Sequence, residues 1–210
     1  MLRLHSVRAR RRSPRALTGI ALSLAAAVVQ ATAAAQARTP AGTPAAEAPV
    51  LDAKSAASVR DQYLADLDTV HVKVLALANA IPEDKYGWRP AAGVRSVSEV
   101  LMHIAGEWYV FAPMSVAGKP PADFGAPREA LPKLEQITQK SAVIEQLTKA
   151  WTHCRAQISS VDPAQLTGRY KPWNATLPQA AFVMSGDLHE HLGQLIAYAR
   201  SVGVKPPWSK

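Results

Sequence analysis

Apolar residues recur every three or four positions along most of the chain after residue 53, which is the spacing of one face of an α-helix. This pattern predicts four helices, at roughly 54–80, 96–117, 132–160 and 177–202. Alternating patterns typical of strands are nearly lacking. Four long amphipathic helices, with one long crossover between the second and the third, predict an all-α four-helix bundle.

The predicted helix boundaries coincide with residues that start or stop helices. Pro82 ends the first helix. Ser96 and Glu99 form the signature of a capping box at the start of the second helix. Gly203 suits a left-handed cap after the fourth. The folded domain is therefore predicted to span residues 54–210.

The first 37 residues have the three parts of a secretory signal peptide. Six arginines and no acidic residue precede position 36, followed by the apolar run Ala16–Val29 and the small residues Ala31–Ala37. An apolar run of about 14 residues is short for a membrane-spanning helix, which needs about 20. Residues 1–37 are therefore predicted to be a signal peptide, and the Pro/Ala-rich residues 38–53 a flexible linker. A periplasmic or secreted protein, without stable membrane insertion after signal cleavage, is expected.

The charge and the cysteine content restrict the possible functions further. The net charge of +8 comes largely from the six arginines of the signal, because 18 basic and 16 acidic residues remain without them. A remaining charge of +2 argues against a nucleic-acid partner. Cys154 is the only cysteine, which excludes an intrachain disulfide and a thiolate zinc site. A bound metal would need imidazole and carboxylate ligands.

Several ionisable residues fall on or beside the predicted apolar faces. At about 100° per residue, Asp187 lies near the centre of the apolar stripe of the fourth helix, and His191 follows one turn later, whereas His189 faces solvent. His103 and Glu107 lie along one edge of the stripe of the second helix. Two side chains four residues apart can bind one metal, and a histidine from a facing helix completes a three-ligand site. His103, Asp187 and His191 are therefore the candidate metal ligands.

A simpler arrangement fits the same residues. Asp187 can form a hydrogen bond or an ion pair in the core with His191 or Arg155, while His103 is merely exposed. Glu107 can orient a ligand or act as a base, or it can be a solvated charge at a helix edge. The residues alone leave these alternatives open.

Several segments of the predicted domain form a distinctive combination. They are Ala80–Pro90, Gly93–Val100, Met102–Ala105, Asp187–Gln194, Ala197–Arg200 and Pro206–Ser209. Together they resemble the DinB family of helical-bundle proteins, over roughly residues 54–210. The resemblance implies an up-down-down-up bundle that binds a divalent metal, often zinc or nickel, through three histidines. His103 and His191 match two of these histidines, and Asp187 stands at the position of the third; such a set could also suit manganese or iron.

The resemblance and the signal peptide together lead to the hypothesis of an exported, metal-dependent hydrolase or transferase that acts on an unknown small-molecule substrate. Its ion would activate water or a small nucleophile, with Glu107 as the candidate catalytic base. Two other hypotheses stay open: a non-catalytic bundle that binds a metal or a partner, and a metal-free scaffold with a buried Asp–His pair. Because DinB-like bundles are often dimeric, a homodimer is also implied.

Overall fold

The computed structural model describes residues 50–170 and 173–209. The predicted signal peptide, and the predicted linker apart from its last four residues, lie outside the described residues. The described helices are α1 (Ala53–Ala80), α2 (Val97–Gly106), α3 (Ala112–Met114), α4 (Pro127–Leu134), α5 (Lys140–Ser160) and α6 (Leu177–Ser201). The remaining elements are a π-helical segment (Glu107–Phe111), two short 3₁₀ helices (Glu83–Lys85 and Pro163–Leu166) and two paired strands, β1 (Arg169–Tyr170) and β2 (Ala175–Thr176). The predicted all-α class is confirmed.

The long helices enclose one hydrophobic core, because α1 and α2 each contact both α5 and α6. The π-helical segment joins α2 to α3 without a break, so that 97–114 forms one continuous rod. The core contains fully buried large side chains from α1, from the continuous rod 97–114, from α5 and from α6, including Leu67, Trp108, Leu147 and Leu177. Burial of a large apolar side chain contributes about 1.5–3 kcal/mol to stability. The up-down-down-up order of the helices stays a prediction.

The helix ends bear out the predicted capping signals. Ser96 Oγ accepts a hydrogen bond from Glu99 N at 3.3 Å, and the Glu99 carboxylate accepts one from Ser96 N at 2.6 Å. Asp52 caps α1 by accepting a hydrogen bond from Ser55 N. Gly203 follows α6 with a φ of 81°, the left-handed conformation that favours glycine. Among the described helices, none is both long and apolar enough to cross a membrane.

The predicted helix at 132–160 is wrong in one respect, because residues 135–139 separate α4 from α5. Pro127 begins α4 at a first-turn position, where proline needs no hydrogen-bond partner for its nitrogen. Gln139 precedes α5, and within the described chain its side chain makes no capping hydrogen bond. The start of α5 therefore lacks the usual sequence signal, which explains why the two helices were predicted as one.

Before this break, α4 packs against α2 as a separate helix. The two helices are in contact, and a Cβ atom added at Gly106 would lie only 2.6 Å from Leu131 Cδ2. The glycine thus permits a close approach that a larger residue would hinder. As a result, α2 and the start of the π-helical segment are buried on most sides.

Candidate metal centre

Three polar side chains converge between α2 and α6. His103 belongs to α2, Glu107 is the first residue of the π-helical segment, and His191 belongs to α6. The Nε2 atoms of His103 and His191 each lie 3.3 Å from the same oxygen, Oε1 of Glu107. One ligand atom from each of the three residues lies within 4.8 Å of the others. Three potential metal ligands thus point into one small volume.

The local fold explains this convergence. Glu107 follows His103 by four residues, so both side chains lie on the same face of their helix. The Glu107 side chain is only 3% exposed, although it lies at the edge of the apolar stripe. Single π-helical turns are frequent at functional sites, and this one begins at Glu107.

Asp187 lies at the margin of the cluster rather than at the centre of a buried face. Its side chain is 46% exposed, and its Oδ1 atom lies 3.8 Å from His191 Nε2. The buried residues of α6 are centred roughly 80° away from Asp187, counting about 100° per residue. Val183, an apolar residue beside Asp187 on the helix surface, is 57% exposed and does not belong to the core. The structure therefore brings Glu107 to the position expected for Asp187, whose role as a ligand stays a prediction.

Contacts within the cluster and burial shift the pKa values of Glu107, His191 and Asp187. Burial alone would raise the pKa of Glu107, but hydrogen bonds with His103 and His191 outweigh it and lower the pKa to about 2. The hydrogen bond with Glu107 is also the main reason why the pKa of His191 is raised. Burial, together with the neighbouring Glu107 carboxylate, raises the pKa of Asp187. Glu107 is therefore a buried anion that requires positive charge beside it.

Each histidine is held through the ring nitrogen that faces away from Glu107. His103 Nδ1 lies 2.9 Å from Glu135 Oε1, and His191 Nδ1 lies 3.3 Å from Gln194 Oε1. Metal-binding histidines usually donate this second N–H to a carboxylate or a carbonyl group, which leaves the other nitrogen free for the ion. Neither partner was predicted from the sequence. Glu135 directly follows α4, whose end was not predicted. Gln194 could have been found, because it follows His191 by three residues and so lies beside it on the same helix face.

The residues fit a divalent ion by two further criteria. Glu107 Oε2 is buried and has no hydrogen-bond partner among the described residues, although buried polar atoms are normally paired. The two 3.3 Å separations match the edge of ~3.3 Å expected between ligands placed 2.0–2.1 Å from a tetrahedral zinc ion. A set of two imidazoles and one carboxylate suits zinc, nickel, manganese and iron.

The other predicted polar positions lie outside this cluster. His189 is 45% exposed and contacts Asp66 of α1 at 3.0 Å. Arg155 forms an exposed ion pair with Asp68, rather than a core contact with Asp187. A further histidine, His71 of α1, also lies outside the cluster and stacks on Trp151 with a centroid separation of 4.6 Å. Within the described residues, a group of three candidate ligands is found only at His103, Glu107 and His191.

The fold and the cluster together define the class of protein: an all-α bundle with a candidate metal centre inside it. Residues 66–195 match the family model described as the DinB superfamily, and the chain therefore belongs to this superfamily. It is also 29% identical over 132 residues to the "Uncharacterized protein YjoA" of Bacillus subtilis (strain 168), an alignment that covers 60% of this chain and 80% of the relative. No solved structure matches the chain. The family predicted from the sequence segments is confirmed.

Proposed function

We propose that the protein binds a divalent metal ion through His103 Nε2, His191 Nε2 and Glu107 Oε1. The observation that carries this proposal is the convergence of two imidazole nitrogens on one buried carboxylate oxygen. When the rings are neutral and carry hydrogen at Nδ1, all three facing atoms are acceptors, and only a cation can compensate them. A metal ion meets this requirement, and its positive charge would also compensate the buried Glu107 Oε2, which has no hydrogen-bond partner among the described residues.

We also propose that this centre belongs to a metal-dependent hydrolase or transferase that acts on a small molecule. A bound divalent ion would supply an acidified water or another activated nucleophile. His103 is partly exposed and Asp187 is nearly half exposed, so the centre is accessible from solvent on this side. Because Glu107 faces both histidines, we assign it the role of ligand and transfer the role of general base to Asp187 Oδ1.

The decisive experiment for metal binding compares variants of the two proposed histidine ligands with a variant of the neighbouring His189. Wild type, His103→Ala, His191→Ala and His189→Ala would be purified identically, and their metal content measured by elemental analysis. We expect His103→Ala and His191→Ala to lower occupancy at least about tenfold, because each loses a ligand, and His189→Ala to match wild type. Equal metal content in all four proteins would exclude this centre, as would an equal loss in all three variants.

A second candidate function is metal binding without catalysis. The observation that favours it is the position of a cavity of about 840 Å³, which lies between α5 and the crossover and is lined by other residues, including Tyr109, Phe124 and Ile137. Turnover of small ester, amide and phosphoester substrates would distinguish the two functions. Metal-dependent turnover that is lost in Asp187→Asn, with metal content retained, supports the enzyme; metal binding without turnover supports the alternative.

We further propose that the chain is exported and forms a homodimer. The arginine-rich start and the apolar run in the sequence support export. The test is N-terminal sequencing of the mature protein from the periplasmic fraction, with the first residue expected directly after Ala35 or Ala37. Analytical ultracentrifugation of the same protein should give about double the mass of one mature chain, whereas a single-chain mass contradicts the dimer.

A further inference from the structure

Two chains of polar contacts start at the histidines of the proposed metal centre and end at one residue, Arg95. The first chain runs through Glu135, the residue that directly follows α4. Glu135 Oε1 lies 2.9 Å from His103 Nδ1 and also 3.3 Å from Arg95 Nη2. One carboxylate oxygen thus connects the ring of His103 with the side chain of Arg95.

The second chain runs along α6 and ends at the backbone of the same residue. Gln194 Oε1 lies 3.3 Å from His191 Nδ1, and Gln194 Nε2 donates to Tyr198 OH at 2.9 Å. Tyr198 OH then donates to the carbonyl oxygen of Arg95 at 3.1 Å. The ring of His191 is thus connected with the backbone of Arg95.

The chemistry of these groups fixes the direction of each hydrogen bond. The carbonyl of Arg95 can only accept, so Tyr198 donates to it and accepts from the amide nitrogen of Gln194. The amide oxygen of Gln194 therefore faces His191, whose Nδ1 must carry the hydrogen. Likewise, an ionised Glu135 can only accept, so His103 Nδ1 carries a hydrogen too. Both chains leave the Nε2 atoms facing Glu107 available to a metal.

Arg95 is well suited to hold both chains, because it directly precedes Ser96, the N-cap residue of α2. Ser96 is buried and closes the capping box with Glu99, which fixes the backbone at this point. Arg89 contacts both sides of the same turn: it donates to the carbonyl of Val94 and pairs with Glu99. The end of each chain is thus attached to an ordered helix terminus.

We propose that Arg95 is a positioning residue that keeps the Nε2 atoms of both metal-binding histidines directed inward, through Glu135 on one side and through Tyr198 and Gln194 on the other. The inference rests on the proposed metal-binding function. It assigns different parts of Arg95 to the two histidines: the side chain orients His103 through Glu135, and the backbone carbonyl orients His191 through Tyr198 and Gln194.

Zinc is the probe for the first test, with affinity measured by competition against a chromophoric chelator. Loss of a partner of a metal-binding histidine typically lowers metal affinity about 10–100-fold, and we expect this range for Glu135→Ala and Gln194→Ala. Glu135→Gln should recover most of the affinity, because its amide oxygen can still accept from His103 Nδ1. The matched controls are Glu129→Ala on α4 and Glu190→Ala on α6, two exposed residues that should leave the affinity unchanged.

The second test distinguishes the two chains of contacts by imidazole NMR of the zinc-loaded protein. Arg95→Ala keeps its backbone carbonyl, so the Nδ1–H signal of His103 should shift or broaden while that of His191 stays as in wild type. Tyr198→Phe removes the hydroxyl from the chain that leads to His191. The Nδ1–H signal of His191 should then shift or broaden, while that of His103 stays as in wild type. Circular dichroism identifies unfolded variants; if Glu135→Ala is one of them, Arg95→Ala and Tyr198→Phe decide the question.

The outcomes distinguish this inference from the function on which it rests. A wild-type protein that does not bind zinc, nickel, manganese or iron would overturn the proposed function itself. Metal binding by wild type together with unchanged zinc affinity in Glu135→Ala and Gln194→Ala would overturn only the positioning role. Equal perturbation of both histidines by Arg95→Ala would overturn the division between its side chain and its carbonyl.

Discussion

Helix α6 carries two histidine–carboxylate contacts that use the same chemistry in different surroundings. His191 faces Glu107 at 3.3 Å, with 16% and 3% of their side chains exposed. His189 faces Asp66 at 3.0 Å, with 45% and 37% exposed. The two histidines are separated by only one residue, but they project from different sides of the helix.

The comparison shows that burial, together with a second histidine on the same carboxylate, distinguishes the candidate site from an ordinary surface pair, whereas a short contact alone does not. Around His189 and Asp66, water can solvate both side chains, and exposed pairs of this kind contribute about 0–1 kcal/mol to stability. Around His191, a second histidine approaches the same carboxylate oxygen, and the side chain that carries this oxygen is only 3% exposed. Charge at this centre must therefore be compensated by a bound cation or a proton.

The largest expected effect is the loss of the buried carboxylate. Glu107→Gln removes the anion at the centre of the cluster, and we expect zinc affinity to fall by more than about 100-fold, since even residues that only support a ligand account for 10–100-fold. Asp66→Asn makes the same chemical change in the exposed pair and should leave zinc affinity within about twofold of wild type. Chelator competition measures both; similar losses in the two variants would invalidate the comparison.

Lowering the pH should remove the metal from the buried cluster. Zinc needs a neutral imidazole nitrogen, and the hydrogen bond with Glu107 raises the pKa of His191. Protons therefore begin to compete at a higher pH than for an ordinary histidine, and zinc affinity should fall as the pH drops through this raised pKa. Glu107, with a pKa of about 2, stays ionised during this change. Constant zinc affinity across the titration of histidine would contradict the assignment of His191 as a ligand.

A smaller effect on zinc binding should distinguish α2, which continues into Glu107, from α1, which carries Asp66. Ser96→Ala removes the cap of α2, and Asp52→Ala removes the cap of α1. Each should lower the free energy of unfolding by about 1 kcal/mol, measured by urea denaturation. Only Ser96→Ala should also weaken zinc binding, because Arg95 precedes it and His103 and Glu107 follow it on the same rod. Equal zinc affinities in the two variants would show that the cap does not support the centre.

The smallest effect belongs to the exposed pair itself. His189→Ala should change the free energy of unfolding by less than about 1 kcal/mol, and added salt should reduce the difference further because exposed charges are screened. Urea denaturation at low and high ionic strength measures this change. A loss of several kcal/mol, independent of salt, would show that this pair has a structural role that its exposure does not indicate.

The sequence predicts the long helices well because their signals are strong and local. The first helix was expected at 54–80 and lies at Ala53–Ala80, and the fourth was expected at 177–202 and lies at Leu177–Ser201. Both have extended amphipathic patterns with recognisable ends. The division of 132–160 was missed because the cap of α5 has no typical residue and the proline that starts α4 lies before the predicted range.

The same error limited the prediction of the centre. His103 and His191 were identified from helical spacing and from the family resemblance, and the structure brings them together. Glu107 was expected at an edge because a single-helix projection takes no account of neighbouring helices, such as α6 with His191, which packs against it in the folded chain. Glu135 could not be placed until α4 and α5 were recognised as separate helices. Asp187 was placed too centrally, because the projection does not show which apolar residues of α6 remain exposed.

The position of His191 on the last long helix has a consequence for how the protein would acquire its ion. His103 and Glu107 lie near the middle of the chain, so the full ligand set exists only after the C-terminal helix has docked. An incomplete chain leaving the ribosome has only two of the three ligands. On the proposed metal-binding function, loading would therefore follow completion of folding, and the metal supply of the compartment in which folding finishes would decide which ion is bound.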